Sequence, residues 1–300
     1  MAKNGRRNGR QRYKCRGCGA QEQSASRPKR IYRKLWSEHV FGRQTAVQLA
    51  VKYGRSERWI RESLDRQALA LKTHDPRSIV LAMDATFWGR KNGVLVARDP
   101  VRRENILWKE IIQETPSEYQ TLRSEINRIG YAIQGVVLDG KRGVREVFRD
   151  MPVQYCQFHQ MKTVTRYLTR KPKTRAGQEL RFLSLTLSRT SEKEFEKHLE
   201  RWRERWEEFL SERTPCSCCK PKRWPYTHRK LRAAYRSLKT NLPYLFTFQK
   251  FPELHLPNTT NTLDGSFSHL KNQVGLHRGK TSARRYKIIQ TILMKKEGEK

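Results

Sequence analysis

Acidic residues are scarce in this chain: 29 Asp and Glu stand against 64 Lys and Arg, a formal charge of +35 over 300 residues. That excess repels itself unless a polyanion is near, so nucleic acid is the expected partner. Long apolar runs are missing too. No stretch approaches the ~18–20 residues of a spanning helix, and no basic amphipathic helix is joined to a lipid signal, so a membrane surface is the weaker alternative to nucleic acid. The opening residues, Met1 to Arg7, are polar and have no apolar core behind them. They are not expected to act as a secretory signal, so a cytoplasmic, nucleoid-associated protein is expected. Cysteine is sparse, with six in the chain, and in such a setting thiols are expected reduced or metal-bound rather than disulfide-paired. Hydrophobic residues make up only 36%, so a core is expected only where they concentrate.

They concentrate first at Ser78-Ile-Val-Leu-Ala-Met-Asp84. A short, continuous apolar run reads as a strand buried on both faces. An acid at its end costs several kcal/mol to desolvate without compensation, and a bound cation is one compensation. The pattern repeats downstream, where Gln-Gly-Val-Val-Leu runs into Asp139 and Gly140.

Before these strands, residues 1–30 form a Gly-, Arg- and Asn-rich basic arm. It carries Cys15-Arg-Gly-Cys18, half of a zinc ribbon, whose closed site needs two further ligands. The readings left open are two unused thiols on a disordered arm, a ribbon truncated at its start, and Zn²⁺ ligands borrowed from elsewhere. Residues 31–72 have helical periodicity. Thr45 is expected to cap a short helix with Leu49 and Ala50 inward, and Gly54 to end it. Ser56 is expected to cap the next helix, with Trp59, Ile60 and Leu64 as its buried stripe. Two short helices about a glycine turn match a helix-turn-helix, with an ordinary helical hairpin as the alternative. Arg55, Glu57, Arg58 and Arg61 would lie nearest a DNA groove.

From residue 78 the period becomes that of strands. Strands are expected at 79–84, 93–98, 104–110, 134–139 and 153–156, with helices at 116–128 and 142–149. The order is βββαβαβ, an α+β or α/β mixed sheet, with both aspartates at strand ends. Beyond residue 158 the chain turns helical and basic. Phe195, Leu199, Trp202, Trp206, Phe209 and Leu210 make one apolar stripe, read as helix packing. Cys216, Cys218 and Cys219 near His228 have poor spacing for a zinc site. A final helix is expected to start at Thr260 or Asn261, with Asp264 in its first turn and Phe267, Leu270 and Val274 as its apolar stripe.

The two strand-terminal aspartates, the C-x-x-H of Cys156 and His159, the helical segment, the T-T-N-x-L-D-G around Asp264 and the Leu-His-Arg-Gly at 276–279 together resemble a Mutator-like DDE transposase of a bacterial insertion sequence. The resemblance covers nearly the whole chain, from the helix-turn-helix to about residue 290. It implies a ribonuclease-H-like core, 78–164 and 250–292, interrupted by an all-helical insertion, 165–249. It also implies catalysis by Asp84, Asp139 and Asp264 with two Mg²⁺ (or Mn²⁺) ions, Asp84 bridging both. Water would cut at the element's end, and the freed 3′-OH would join target DNA. Lys141, Arg142, Lys271, Arg278 and Lys280 would engage phosphates. Cys156 and His159 would serve packing, a polar contact near DNA, or zinc. Synapsis of two ends implies a homodimer or larger. Two features depart from the pattern: Asp264 stands where many members place glutamate, and the N-terminal C-x-x-C is unpaired. A non-catalytic sequence-specific DNA-binding protein and a related metal-dependent nuclease are the alternatives.

Overall fold

A computed structural model of the protein describes residues 1–7, 10–23, 30–69, 71–215, 224–277 and 280–295. Cys216, Cys218 and Cys219, and Arg278 with Gly279, lie outside the described residues. The chain divides into two compact units. One holds Met1–Leu71 and Asn272–Ile292; the other holds Lys72–Lys271 and the chain from Leu293 onward.

In the first unit the basic arm carries secondary structure. Strands β1 (Ala2–Arg7), β2 (Arg10–Lys14) and β3 (Gln21–Gln23) form an antiparallel sheet in that order. No apolar alternation announces them, because β1 and β3 are almost wholly exposed and the sheet is built from backbone hydrogen bonds. Three helices follow: α1 (Arg30–Val40), α2 (Ala46–Tyr53) and α3 (Glu57–Arg66). Their ends follow local chemistry. The Thr45 hydroxyl accepts from the Gln48 amide while the Gln48 side chain accepts from the Thr45 amide, a reciprocal cap. Gly54 closes α2 at φ 59°, and the Ser56 hydroxyl accepts from the Trp59 amide to open α3. Leu35, Val40, Leu49, Ile60 and Leu64 are fully buried. Trp59, expected inside, is only half-buried; Ser63 takes the buried position on that face instead.

The second unit is built on a five-stranded mixed sheet. Its strands are β4 (Ser78–Phe87), β5 (Gly93–Asp99), β6 (Glu104–Ile111), β7 (Ala132–Leu138) and β8 (Val153–Tyr155), in the order β6-β5-β4-β7-β8. The first three pair antiparallel, whereas β7 runs parallel to β4 and β8 parallel to β7. Helix α4 (Pro116–Ile129) and a 3₁₀ turn at Val144–Phe148 make the crossovers. The expected strand and helix order holds, with one correction. Asp84 does not end its strand: β4 continues to Phe87, because β5 still pairs with it through Phe87↔Gly93. What ends near Asp84 is the parallel pairing, whose last pair is Ala82↔Val137.

Helices α5 (Gln157–Leu168), α6 (Arg175–Leu185), α7 (Glu192–Arg205), α8 (Glu207–Ser211), α9 (Arg229–Leu245) and α10 (Thr247–Lys250) follow. Phe195, Leu199, Trp202 and Leu210 are buried as expected. The stripe is split between two helices, however, because the chain leaves helical geometry at Trp206 (φ −107°, ψ 16°), whose indole donates to Glu179 at 2.8 Å. The chain ends in α11 (Asn261–Leu276) and α12 (Ser282–Met294). The sequence reading grouped 250–292 with the sheet, but Asn272–Ile292 belongs to the first unit. There Arg284 binds Asp65 with two hydrogen bonds, the Trp36 indole donates to Thr291, and Ile288 and Ile289 are buried. No helix of the described residues is long and apolar enough to cross a membrane.

Candidate metal centre

In an open sheet with parallel strands, the crevice beyond their carboxyl ends is where functional groups gather. Asp84 lies two residues past its last parallel pair, Ala82↔Val137. The main chain beside it is uncovered on that edge, and Asp84 Oδ1 accepts from the Ala85 amide at 2.8 Å. Asp139 follows β7 directly. Gly140 turns at φ 86°, which lets the Lys141 amide donate back to Asp139 Oδ1 at 2.9 Å.

His159 sits in the first turn of α5, which is anchored where the Cys156 amide donates to the Leu138 carbonyl at 2.7 Å. Asp264 comes from the first turn of α11, whose opening amides, Leu263 and Asp264, donate to the Thr260 carbonyl. The two helix starts are tied to each other. The Thr260 amide donates to Cys156 Sγ at 3.3 Å, and its hydroxyl lies 3.4 Å from both that sulfur and His159 Nδ1. Nearby, the Gln157 amide donates to the Asn258 carbonyl, and the Asn258 side chain donates to Gln157. The C-x-x-H and the N-T-T segments therefore brace one another, and this sets where Asp264 projects.

The result is a cluster in which ligand atoms of Asp84, His159 and Asp264 all lie within 4.8 Å of one another. Asp139 stands outside that set but close enough for its charge to act on Asp84. Of the three acids expected to converge, Asp84 and Asp264 come together, with the His159 imidazole as the third member in place of Asp139. Two side chains that the sequence reading missed complete the surroundings. Lys162 Nζ lies 4.0 Å from Asp264, three residues beyond His159 on α5, a spacing that was readable as a shared helix face. Glu114 accepts from Tyr119 at 2.7 Å and from Lys141 at 2.9 Å.

Burial pushes the Asp84 carboxyl up to about 7; the negative charges of Asp139 and Asp264 add to this, while His159 and the Ala85 amide oppose it. Burial also raises Asp139, reinforced by Glu114. His159 is pushed up to about 9 by its bond with Cys156 and by Asp84 and Asp264, against the effect of burial. For Cys156, burial works upward but is outweighed by hydrogen bonds from His159 and Thr260, and the thiol lies below its ordinary value. Acids held up and an imidazole held up mark an acidic pocket short of positive charge.

A divalent cation fits this donor set. Among the described residues Asp264 Oδ2 is a buried atom without a hydrogen-bond partner, and a carboxylate oxygen left so is available as a ligand atom. Oxygen donors supplemented by one imidazole suit hard and borderline divalent ions.

The other expected residues lie elsewhere. Lys141 is paired with Glu114, so its charge is already engaged. Arg142 and Lys271 are exposed. Arg55 is exposed over the Trp59 ring, Arg58 pairs with Glu62, and Arg61 pairs with Glu57. Lys280 donates to the Val274 and His277 carbonyls. Cys15 and Cys18 close a tight turn, and the amides of Cys18 and Gly17 lower the Cys15 thiol. Among the described residues no third ligand joins them, since Asp84, His159 and Asp264 make up the cluster of three found there.

Compared with known proteins, the chain matches no protein-family model and no curated protein.

Proposed function

We propose that the chain is a metal-dependent DNA transposase of the Mutator-like DDE kind, with a ribonuclease-H-like core and a helix-turn-helix for DNA. One observation carries the reading: Asp84 and Asp264, 180 positions apart in the chain, meet with His159 beside Asp139 at the carboxyl edge of the parallel strands. The three-antiparallel, two-parallel strand order and the high positive charge support it. The capped helix pair α2–α3 supports the DNA-binding part.

In this reading Asp84, Asp264 and His159 would hold a divalent ion, Mg²⁺ or Mn²⁺, and Asp139 would add its charge beside them. Bound there, such ions supply the positive charge that a phosphoryl transition state needs. The protein's part is to place carboxylates around the scissile phosphate and to shield them from bulk water. Asp84, the most buried of the three acids, lies between the others and would be the central metal ligand; Cys156 and Thr260 hold the His159 ring in place. A water cleaves the phosphodiester at the element end and leaves a 3′-OH. That hydroxyl then attacks a target phosphodiester, so each bond made to phosphorus is matched by one broken and no protein side chain is esterified. Lys162, beside Asp264, meets the DNA backbone. The shorter Asp264 is compatible with the reading because its ligand atom still comes within 4.8 Å of those of Asp84 and His159.

The test uses the full chain with supercoiled and linear duplex DNA, with Mg²⁺ or Mn²⁺, and with chelator. Metal-dependent nicking should fall by roughly 10²-fold or more in Asp84→Asn, as expected when electrostatic support at a reacting phosphate is removed. Undiminished nicking by that variant would overturn the assignment. Tight sequence-specific binding with no nicking in either metal would favour the non-catalytic DNA-binding alternative.

A further inference from the structure

Within the first unit lies a cavity of about 280 Å³ that has no part in the metal centre. Its walls include His39, the start of α2 at Thr45–Val47, and, from the later segment, His277, Lys280 and Arg284. His277 is only 5% exposed, and neither ring nitrogen meets a hydrogen-bond partner among the described residues. Burial, with the charges of His39 and Lys280, pushes His277 down to about 4, and the His39 main chain opposes this only in part, so the ring is neutral near pH 7. The two imidazoles lie tilted by 40° with centroids 3.9 Å apart, and His39 Nδ1 is engaged by the Gln44 carbonyl at 2.7 Å. A buried imidazole always carries at least one N–H, and such donors are nearly always satisfied in folded proteins.

The remaining lining indicates what would satisfy it. The reciprocal cap of α2 uses the amides of Thr45 and Gln48, and Ala46 and Val47, whose first-turn amides have no acceptor within the helix, are among the residues lining the cavity. Arg61 and Glu57 line it as a pair, and Arg284 is held by Asp65, so these guanidiniums are oriented by their carboxylates. Lys280 is bonded to the Val274 and His277 carbonyls, and its ammonium is not offset by a carboxylate contact among the described residues. The wall is therefore rich in N–H donors and cationic, with Glu57 as its one carboxylate. That composition repels a metal ion and suits an oxyanion.

We propose that this cavity binds a phosphate oxyanion, donated to by His277, Lys280 and the first-turn amides of α2. Its source is either a phosphodiester of a DNA backbone or free phosphate. The proposal depends on the DNA reading only for that source; the site itself is independent of metal-dependent cleavage, and the two fail separately.

The experiment follows the His277 ring Cε1–H by NMR in the full chain, at constant ionic strength, as inorganic phosphate is added. Saturable movement of that resonance is expected, with affinity lowered about tenfold or more by Lys280→Met, which keeps the alkyl stem, and by His277→Phe, which keeps an aromatic ring against His39 and is read through the His39 ring Cε1–H. A linear response matched by chloride, or equal saturation in Lys280→Met, overturns the site. If His277→Phe fails to fold, Lys280→Met decides alone. A short duplex that competes for the phosphate response assigns the group to a DNA backbone. Phosphate binding undisturbed by duplex assigns it to free phosphate; either upholds the site.

Discussion

Asp84 bears a heavy electrostatic burden. Its carboxyl rises from an ordinary 3.8 to about 7, chiefly through burial, so the folded metal-free protein binds a proton there that the unfolded chain has already released. Stability attached to this group is present below about 4 and is lost as pH rises through 7. Asp84→Asn in chelator should therefore unfold at higher denaturant than wild type, by roughly 2–4 kcal/mol at neutral pH, with the gap closing toward pH 4. A denaturant series at several pH values checks this. With Mn²⁺ added the order should invert, since only wild type gains from ligand bound to the native state. His159 supplies a second reading of the same field. Its ring, at about 9 through its bond to Cys156 and the charges of Asp84 and Asp264, should titrate lower in Asp84→Asn, as followed by the ring proton shifts. The contribution of His159 to stability runs opposite to a depressed carboxylate: it is present below the ordinary 6.5 and lost as pH rises through 9.

At the scale of elements, α2 and α3 test how much local chemistry carries. Thr45→Ala removes one half of the reciprocal cap and should cost about 1 kcal/mol in thermal or urea unfolding. Gly54→Ala should cost about 1–2 kcal/mol for a different reason. A Cβ there meets nothing within 4 Å, so the penalty is that of the left-handed backbone at φ 59° and not of a clash. Between α5 and α11 the tie is Thr260. Thr260→Ala should cost roughly 1–2 kcal/mol and weaken Mn²⁺ binding without touching a ligand, because it frees the helix that presents Asp264. Loss of stability with unchanged Mn²⁺ affinity would show that the tie is only structural.

For the whole molecule the formal charge of +35 overstates what DNA would meet. Arg58, Arg61, Arg77, Lys141, Arg203 and Arg284 are among the cations already paired with acids. The effective number of phosphates neutralised is set by the unpaired remainder. A footprint of roughly 6–10 phosphates predicts an affinity loss of about 10³–10⁵ between 50 and 200 mM salt. Anisotropy titrations on a short duplex across that range measure the slope directly; a flat response would contradict a backbone-driven complex.

Much of this architecture could be read along the chain because its signals are local. A run such as Ile79 to Met83 specifies a buried strand, a threonine three residues before glutamine specifies a helix start, and Gly54 specifies its end, each through contacts within a few residues. Asp84, Asp139 and Asp264 stood out for the same reason. Three matters were decided only in three dimensions. The strand through Asp84 runs on to Phe87 because β5 is long enough to pair with it, and pairing length belongs to the partner strand. The strands of the basic arm rest on backbone hydrogen bonds, to which side-chain pattern is blind. His159 takes the place beside Asp84 and Asp264 because Thr260 meets Cys156 across 104 residues of chain, a contact whose geometry no spacing encodes.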